Sequence, residues 1–205
     1  VQFVIDSTAP DVIITAPLPG LLVAQGTDIP FSALVTDAHP AANYLTIDGG
    51  SPQYLYSSTT TPAFTIHTAG LAEGIHTAKI QTRDAAGNAD AGSVASVTFE
   101  VDAGAPDVVI TSPADGSFIK KGATVHFAAT INDYSPWIYY MSGDGVTGDY
   151  AYGSTLTNYT RDISTAGWVD GSTHNLKFEA RDSLNQKDAG STAKVAVTVD
   201  GTGQI

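Results

Sequence analysis

The chain has 205 residues, enough for one large domain or two small ones, and contains no cysteine, so neither a disulfide framework nor a thiolate metal site is available. Nine Lys and Arg stand against 21 Asp and Glu, a formal net charge of −12, which repels phosphate backbones and argues against a nucleic-acid partner. No run of about 18 apolar residues occurs, so nothing in this segment is expected to insert into a bilayer.

In chain order, Val1-Gln2-Phe3-Val4-Ile5-Asp6 lacks the charged start of a signal peptide. Short β-branched runs then alternate with turn residues, predicting strands near 11–16, 28–36, 43–48, 63–67, 75–83 and 94–101. Ile29-Pro30-Phe31-Ser32-Ala33-Leu34-Val35 alternates large apolar with small or polar side chains, as a half-buried strand does. Thr77-Ala78-Lys79-Ile80-Gln81-Thr82 and Leu176-Lys177-Phe178-Glu179-Ala180 follow the same period, and helical periodicity is sustained nowhere.

The pattern repeats, and the repeat sets the architecture. Asp11-Val12-Ile13-Ile14-Thr15-Ala16-Pro17 returns 96 residues later as Asp107-Val108-Val109-Ile110-Thr111-Ser112-Pro113. Gly26 through Ala33 matches Gly122 through Ala129, and Arg83-Asp84 matches Arg181-Asp182, by which point the offset has grown to 98. About seven short strands in each roughly 100-residue unit predict an all-β fold: two tandem immunoglobulin-like β-sandwich domains of Greek-key type. The expected domains are 7–102 and 103–200, with Phe31 and Phe127 as equivalent core residues and a tail or linker at 201–205. Residues 1–6 match Val97–Asp102 and Val195–Asp200, so they read as the closing strand of a preceding domain, or as a strand donated to a neighbour.

The frame Ala-Pro-x-Val-x-Ile-Thr-x-Pro, then Gly-x-x-(Ile/Val)-x-Phe-x-Ala, then Arg83-Asp84-Ala85-Ala86-Gly87-Asn88, resembles bacterial Ig-like tandem repeat domains of surface and adhesin-like proteins. The resemblance spans both repeats and implies a non-catalytic, secreted or cell-surface segment whose partners are neighbouring Ig-like domains of the same chain. It also implies an adhesin-like stalk, with an accessory region of a secreted enzyme as an alternative. The second repeat departs from the frame: Arg181-Asp182-Ser183-Leu184-Asn185-Gln186 has no glycine in its turn.

Sandwich topology gathers acids at the end where the chain enters each domain. In the first these are Asp6, Asp37, Asp84, Asn88 and Asp90; in the second, Asp102, Asp133, Asp182, Asn185 and Asp188. Calcium takes six to eight oxygens, and three or four acids at a junction could hold it and stiffen the hinge. Members of the resembled family bind calcium at such places. The competing reading is that Asp and Asn form Asx-turns at strand ends.

Aromatics concentrate in the second repeat. Trp137, Tyr139 and Trp168, in company with Tyr140, Tyr150 and Tyr152, form a candidate surface for a glycan or protein receptor. Core packing is the competing reading, since an Ig sandwich buries a tryptophan on its third strand. Catalytic patterns such as Gly-x-Ser-x-Gly, His-Glu-x-x-His or a P-loop do not occur, and His76 and His174 fall at equivalent places, which suggests a structural role.

Overall fold

The computed structural model describes residues 5–201, and every regular element among them is a β-strand. The chain divides between Ala103 and Gly104 into two compact units. In domain 1 the strands are β1 (Asp11–Ala16), β2 (Leu21–Ala24), β3 (Asp28–Thr36), β4 (Pro40–Ile47), β5 (Gln53–Tyr56), β6 (Ala63–His67), β7 (Gly74–Asp84) and β8 (Val94–Asp102). They form a three-stranded sheet, β1-β3-β6, facing a five-stranded sheet, β2-β8-β7-β4-β5.

Domain 2 repeats the plan with β9 (Asp107–Ser112), β10 (Ser117–Lys120), β11 (Thr124–Asn132), β12 (Pro136–Gly143), β13 (Val146–Tyr152), β14 (Asn158–Ser164), β15 (Thr173–Asp182) and β16 (Thr192–Asp200). Its sheets are β14-β11-β9 and β10-β16-β15-β12-β13. The chain crosses repeatedly between the two sheets, whose pairs are antiparallel except that β2 and β10 run parallel to the closing strands β8 and β16. That is the immunoglobulin-like sandwich.

The period of two explains the core. On β3 the side chains of Ile29, Phe31, Ala33 and Val35 are buried while their neighbours turn outward, and they meet Leu45, Ile66, Ile80 and Phe99. On β11 the same places hold Val125, Phe127, Ala129 and Ile131, which meet Met141, Leu176 and Phe178. Phe31 is 1% exposed and Phe127 is 0% exposed.

Each domain has eight strands against the expected seven or so, two more than the six segments predicted in the first repeat. The additional ones, β2 and β5 with their counterparts β10 and β13, lie at sheet edges. The four residues of β2 are too few to display a period, and β5 keeps no residue buried, so alternation against a core could not reveal either. Of segment 1–6, expected as a closing strand, only Ile5 and Asp6 lie within the described residues, and neither is in a strand. Of the expected tail at 201–205, only Gly201 is described.

Candidate functional site

The first acidic group lies within domain 1. Asp6 precedes β1, Asp37 follows β3, and Asp84 ends β7. One carboxylate oxygen from each lies within 4.8 Å of the other two. The loops holding them are built by the acids themselves. Asp37 Oδ1 accepts the His39 amide at 2.7 Å, and Asp84 Oδ1 accepts the Asn88 amide at 2.7 Å. Asp6 accepts the Thr8 amide and meets His39 Nδ1 at 2.9 Å, and these contacts hold its carboxyl below the usual carboxylate range.

Asn88 serves this cluster as a donor. Its Nδ2 gives hydrogen bonds to Asp84 Oδ2 at 2.7 Å and to the Asp6 carbonyl at 3.0 Å, tying the loop between β7 and β8 to the entry segment. Three carboxylates this close repel one another unless a cation, protons or water intervene.

Asp188, expected among the second domain's metal ligands, is turned to another task. Its Oδ1 accepts from both the amide and the hydroxyl of Ser191, each within 3.2 Å, which closes the loop entering β16. Asp90 does the same with Ser93, whose hydroxyl reaches on to the Pro10 carbonyl at 2.6 Å. Both are Asx-turn contacts that shape the loops entering β8 and β16. Asp102 is the last residue of β8, paired with Ala24 of β2. Asp133 follows β11 and accepts the Ser135 amide at 2.7 Å; Asp182 ends β15 and accepts the Gln186 amide at 2.8 Å.

The glycine-free turn of domain 2 keeps the geometry of its counterpart. Gly87 has φ 87°, and Asn185, at the equivalent place, adopts φ 62°. Asparagine is among the few side-chain-bearing residues that enter this left-handed region at low cost.

The aromatic candidates separate. Trp168 is 5% exposed and stacks on His174 with ring centroids 3.8 Å apart and 8° between planes, so it offers no face to a ligand. Tyr139 turns inward and packs on Tyr159 and Phe178. Burial and the hydrogen bond to Asp149 push the Tyr159 phenol well above its ordinary value. Trp137 stays 44% exposed on β12, against Gly153, and lines a groove with Tyr134, Pro136 and Thr155.

Tyr140, Tyr150 and Tyr152 lie on the outer face of the five-stranded sheet, as do Tyr44, Tyr54 and Tyr56 in domain 1. Glu179, Arg181 and Asn185 stand beside the domain 2 tyrosines, a neighbourhood the aromatic pattern did not disclose. The outward, alternate positions of β15 held the signal: Lys177, Glu179 and Arg181 form one charged row.

The sandwich topology places the chain in the class of tandem immunoglobulin-like proteins. No protein-family model and no curated protein matches it. Among solved structures it is similar to the fibronectin(III)-like modules of Clostridium thermocellum CbhA, at 18% identity over 95% of this chain and 96% of that one, with a TM-score of 0.41. Titin domains I67–I69 align at 13% identity over 95% of this chain and 66% of theirs, TM-score 0.46. A chain of the complex of Dpr2 Ig1-Ig2 with DIP-Theta Ig1-Ig3 aligns at 12% identity over 93% of this chain and 66% of that one, TM-score 0.48.

Proposed function

We propose that the chain is a non-catalytic structural spacer: two Ig-like modules of a bacterial multi-domain protein that is secreted or carried on the cell surface, in the manner of an adhesin stalk. The observation that carries this reading is the repeat itself. The same eight-stranded sandwich occurs twice, and each copy closes its own apolar core, the arrangement of a chain that gains length by adding modules. Expressed separately, 7–102 and 103–200 are expected to give one cooperative melt each, and the joined chain pulled at its ends is expected to show two unfolding steps. Halves that are disordered apart and fold only when mixed overturn the reading.

We further propose that Asp6, Asp37 and Asp84 hold a calcium ion. Their three oxygens would supply part of the six to eight that calcium takes, with water and backbone carbonyls providing the rest. A ligand present at 100 times its Kd adds about 2.7 kcal/mol to the native state. Calorimetry in millimolar calcium against chelator is therefore expected to separate the melts of the wild type and to leave Asp37→Asn unmoved. A wild-type melting temperature indifferent to calcium overturns this assignment.

A further inference from the structure

The tyrosines of the two outer faces stand at equivalent positions but are arranged differently. In domain 1 they close on themselves: Tyr44 meets Tyr54 edge-on at 5.3 Å and Tyr56 edge-on at 6.3 Å, while Tyr54 and Tyr56 stack at 5.9 Å. In domain 2, Tyr150 meets Tyr152 at 5.9 Å, but among the described residues no ring contact joins Tyr140 to either. Tyr140 leans instead over Gly148, where an added Cβ would stand 3.3 Å from its hydroxyl. Domain 1 has Pro52 at the matching place. A cleft of about 550 Å³ lies on the domain 2 face, lined by Tyr140, Tyr150, Tyr152, Glu179, Arg181 and Asn185.

Its chemistry is mixed. Tyr150 and Tyr152 are 65% and 71% exposed, and their rings, 77° apart, form a corner of two aromatic faces. Such faces suit the C–H side of a pyranose, with phenol hydroxyls at the rim. The polar wall carries one carboxylate, Glu179, one guanidinium, Arg181, and the Asn185 amide, and two lysines outside the lining pair with the carboxylate. Lys177 Nζ donates to Glu179 Oε2 at 2.7 Å, Lys187 Nζ donates to Oε1 at 2.5 Å, and Arg181 Nη2 lies 4.0 Å from that oxygen. Lys177 and Lys187 thus neutralise Glu179 from outside the cleft and leave Arg181 as the cation that lines it, in a chain whose net charge is −12.

Arg181 donates from Nη1 to Asn185 Oδ1 at 3.2 Å, and with its side chain 37% exposed its guanidinium has further N–H groups to offer a planar anion. The three changes that shape this face, Pro52 to Gly148, Gln81 to Glu179 and Gly87 to Asn185, all distinguish the second repeat from the first. A peptide adding itself as a strand would need the open edge of β13, whereas this cleft lies on the face of the sheet.

We propose that domain 2 binds a carboxylate-bearing oligosaccharide in this cleft, with the sugar ring against Tyr150 and Tyr152 and its carboxylate on Arg181. The inference goes beyond the spacer reading and does not depend on it.

Titration calorimetry of the whole chain with oligogalacturonate, alongside cello-oligosaccharide as the neutral control, tests it. Binding of the acidic sugar alone is expected, weakening as salt rises. Tyr152→Ala should weaken it about three- to tenfold, the worth of one aromatic contact. Arg181→Gln should weaken it about tenfold or more, as loss of a charged hydrogen bond does. Gly148→Ala, which displaces Tyr140, should also weaken it, while Tyr56→Ala in domain 1 should leave it unchanged. A retained melting temperature in each variant separates lost binding from lost fold. Equal binding of the neutral sugar, acidic binding that ignores Arg181→Gln and Tyr152→Ala, or no binding of oligogalacturonate overturns the proposal. Any of these results leaves the repeat, and the spacer reading built on it, untouched.

Discussion

Asn43 in domain 1 and Tyr139 in domain 2 occupy the same place on the same strand, yet they fill it with opposite chemistry. Asn43 is 1% exposed, and among the described residues neither its amide nitrogen nor its oxygen has a hydrogen-bond partner. Tyr139 lays its ring on Tyr159 and Phe178, extending an aromatic cluster that also includes Phe127. A second pair of equivalent residues repeats the contrast. His76 of domain 1 is buried between Asp48 Oδ2, at 2.6 Å from its Nδ1, and the Ala72 carbonyl, at 2.8 Å from its Nε2. His174 of domain 2 stacks on Trp168 and meets the Asp144 carbonyl at 2.9 Å. One plan of strands therefore tolerates two interiors: polar contacts at the base of domain 1, aromatic packing in domain 2.

The comparison breaks most visibly at the shared phenylalanines. Phe31→Ala and Phe127→Ala should each cost about 3–5 kcal/mol, the range for a buried phenylalanine. The domain 2 variant is expected to lose more, because Phe127 also contacts Tyr159 and Phe178 while Phe31 contacts Phe64. Denaturant melts of the separate domains measure this. A cost below 1 kcal/mol at either site would mean that its ring lies on the wrong face of the strand.

Next in size is the His76–Asp48 pair. Burial alone would lower the His76 pKa, but its bonds to Asp48 and Ala72 outweigh that and raise it above the ordinary 6.5. Burial likewise opposes, and the His76 and Thr77 bonds overcome, the lowering of Asp48 below 3.8. A raised histidine contributes stability that is complete below 6.5 and is lost as pH climbs through the folded value; a lowered aspartate contributes stability that is complete above 3.8 and is lost as pH falls. Domain 1 should therefore hold this contribution in full between those values and melt at lower temperature as pH rises above them. His76→Ala should cost about 1.5–3 kcal/mol, as charged hydrogen bonds do, and flatten that slope. A slope that survives the substitution would assign it to another group.

Asn43→Leu sharpens the contrast in the opposite direction. Removing an amide buried without partners should stabilise domain 1 by about 1–2 kcal/mol. A destabilised Asn43→Leu domain would show that the amide is satisfied by ordered water in solution.

The smallest effect concerns the turn after β7. Gly87→Ala should cost about 1 kcal/mol at its positive φ, and Gly87→Asn less, since Asn185 already holds that conformation. Equal costs for the two substitutions would remove asparagine's advantage there.

Strand periodicity and the 96- to 98-residue repeat were legible in the sequence, because alternate burial leaves a period of two and duplication leaves matched runs. From them came the all-β class, both sandwiches and the equivalence of Phe31 with Phe127. Loop placement in an Ig plan also made Asp6, Asp37 and Asp84 candidates to meet. What the sequence did not decide was the use of each side chain. Asp188 and Asp84 read alike, yet one binds Ser191 and the other Asn88, and Trp168 reads like a surface aromatic until it stacks on His174. Residue type sets what a group can do. Only the tertiary structure chooses its partner, because contacts between residues far apart in the chain depend on register, bulges and the direction each side chain takes.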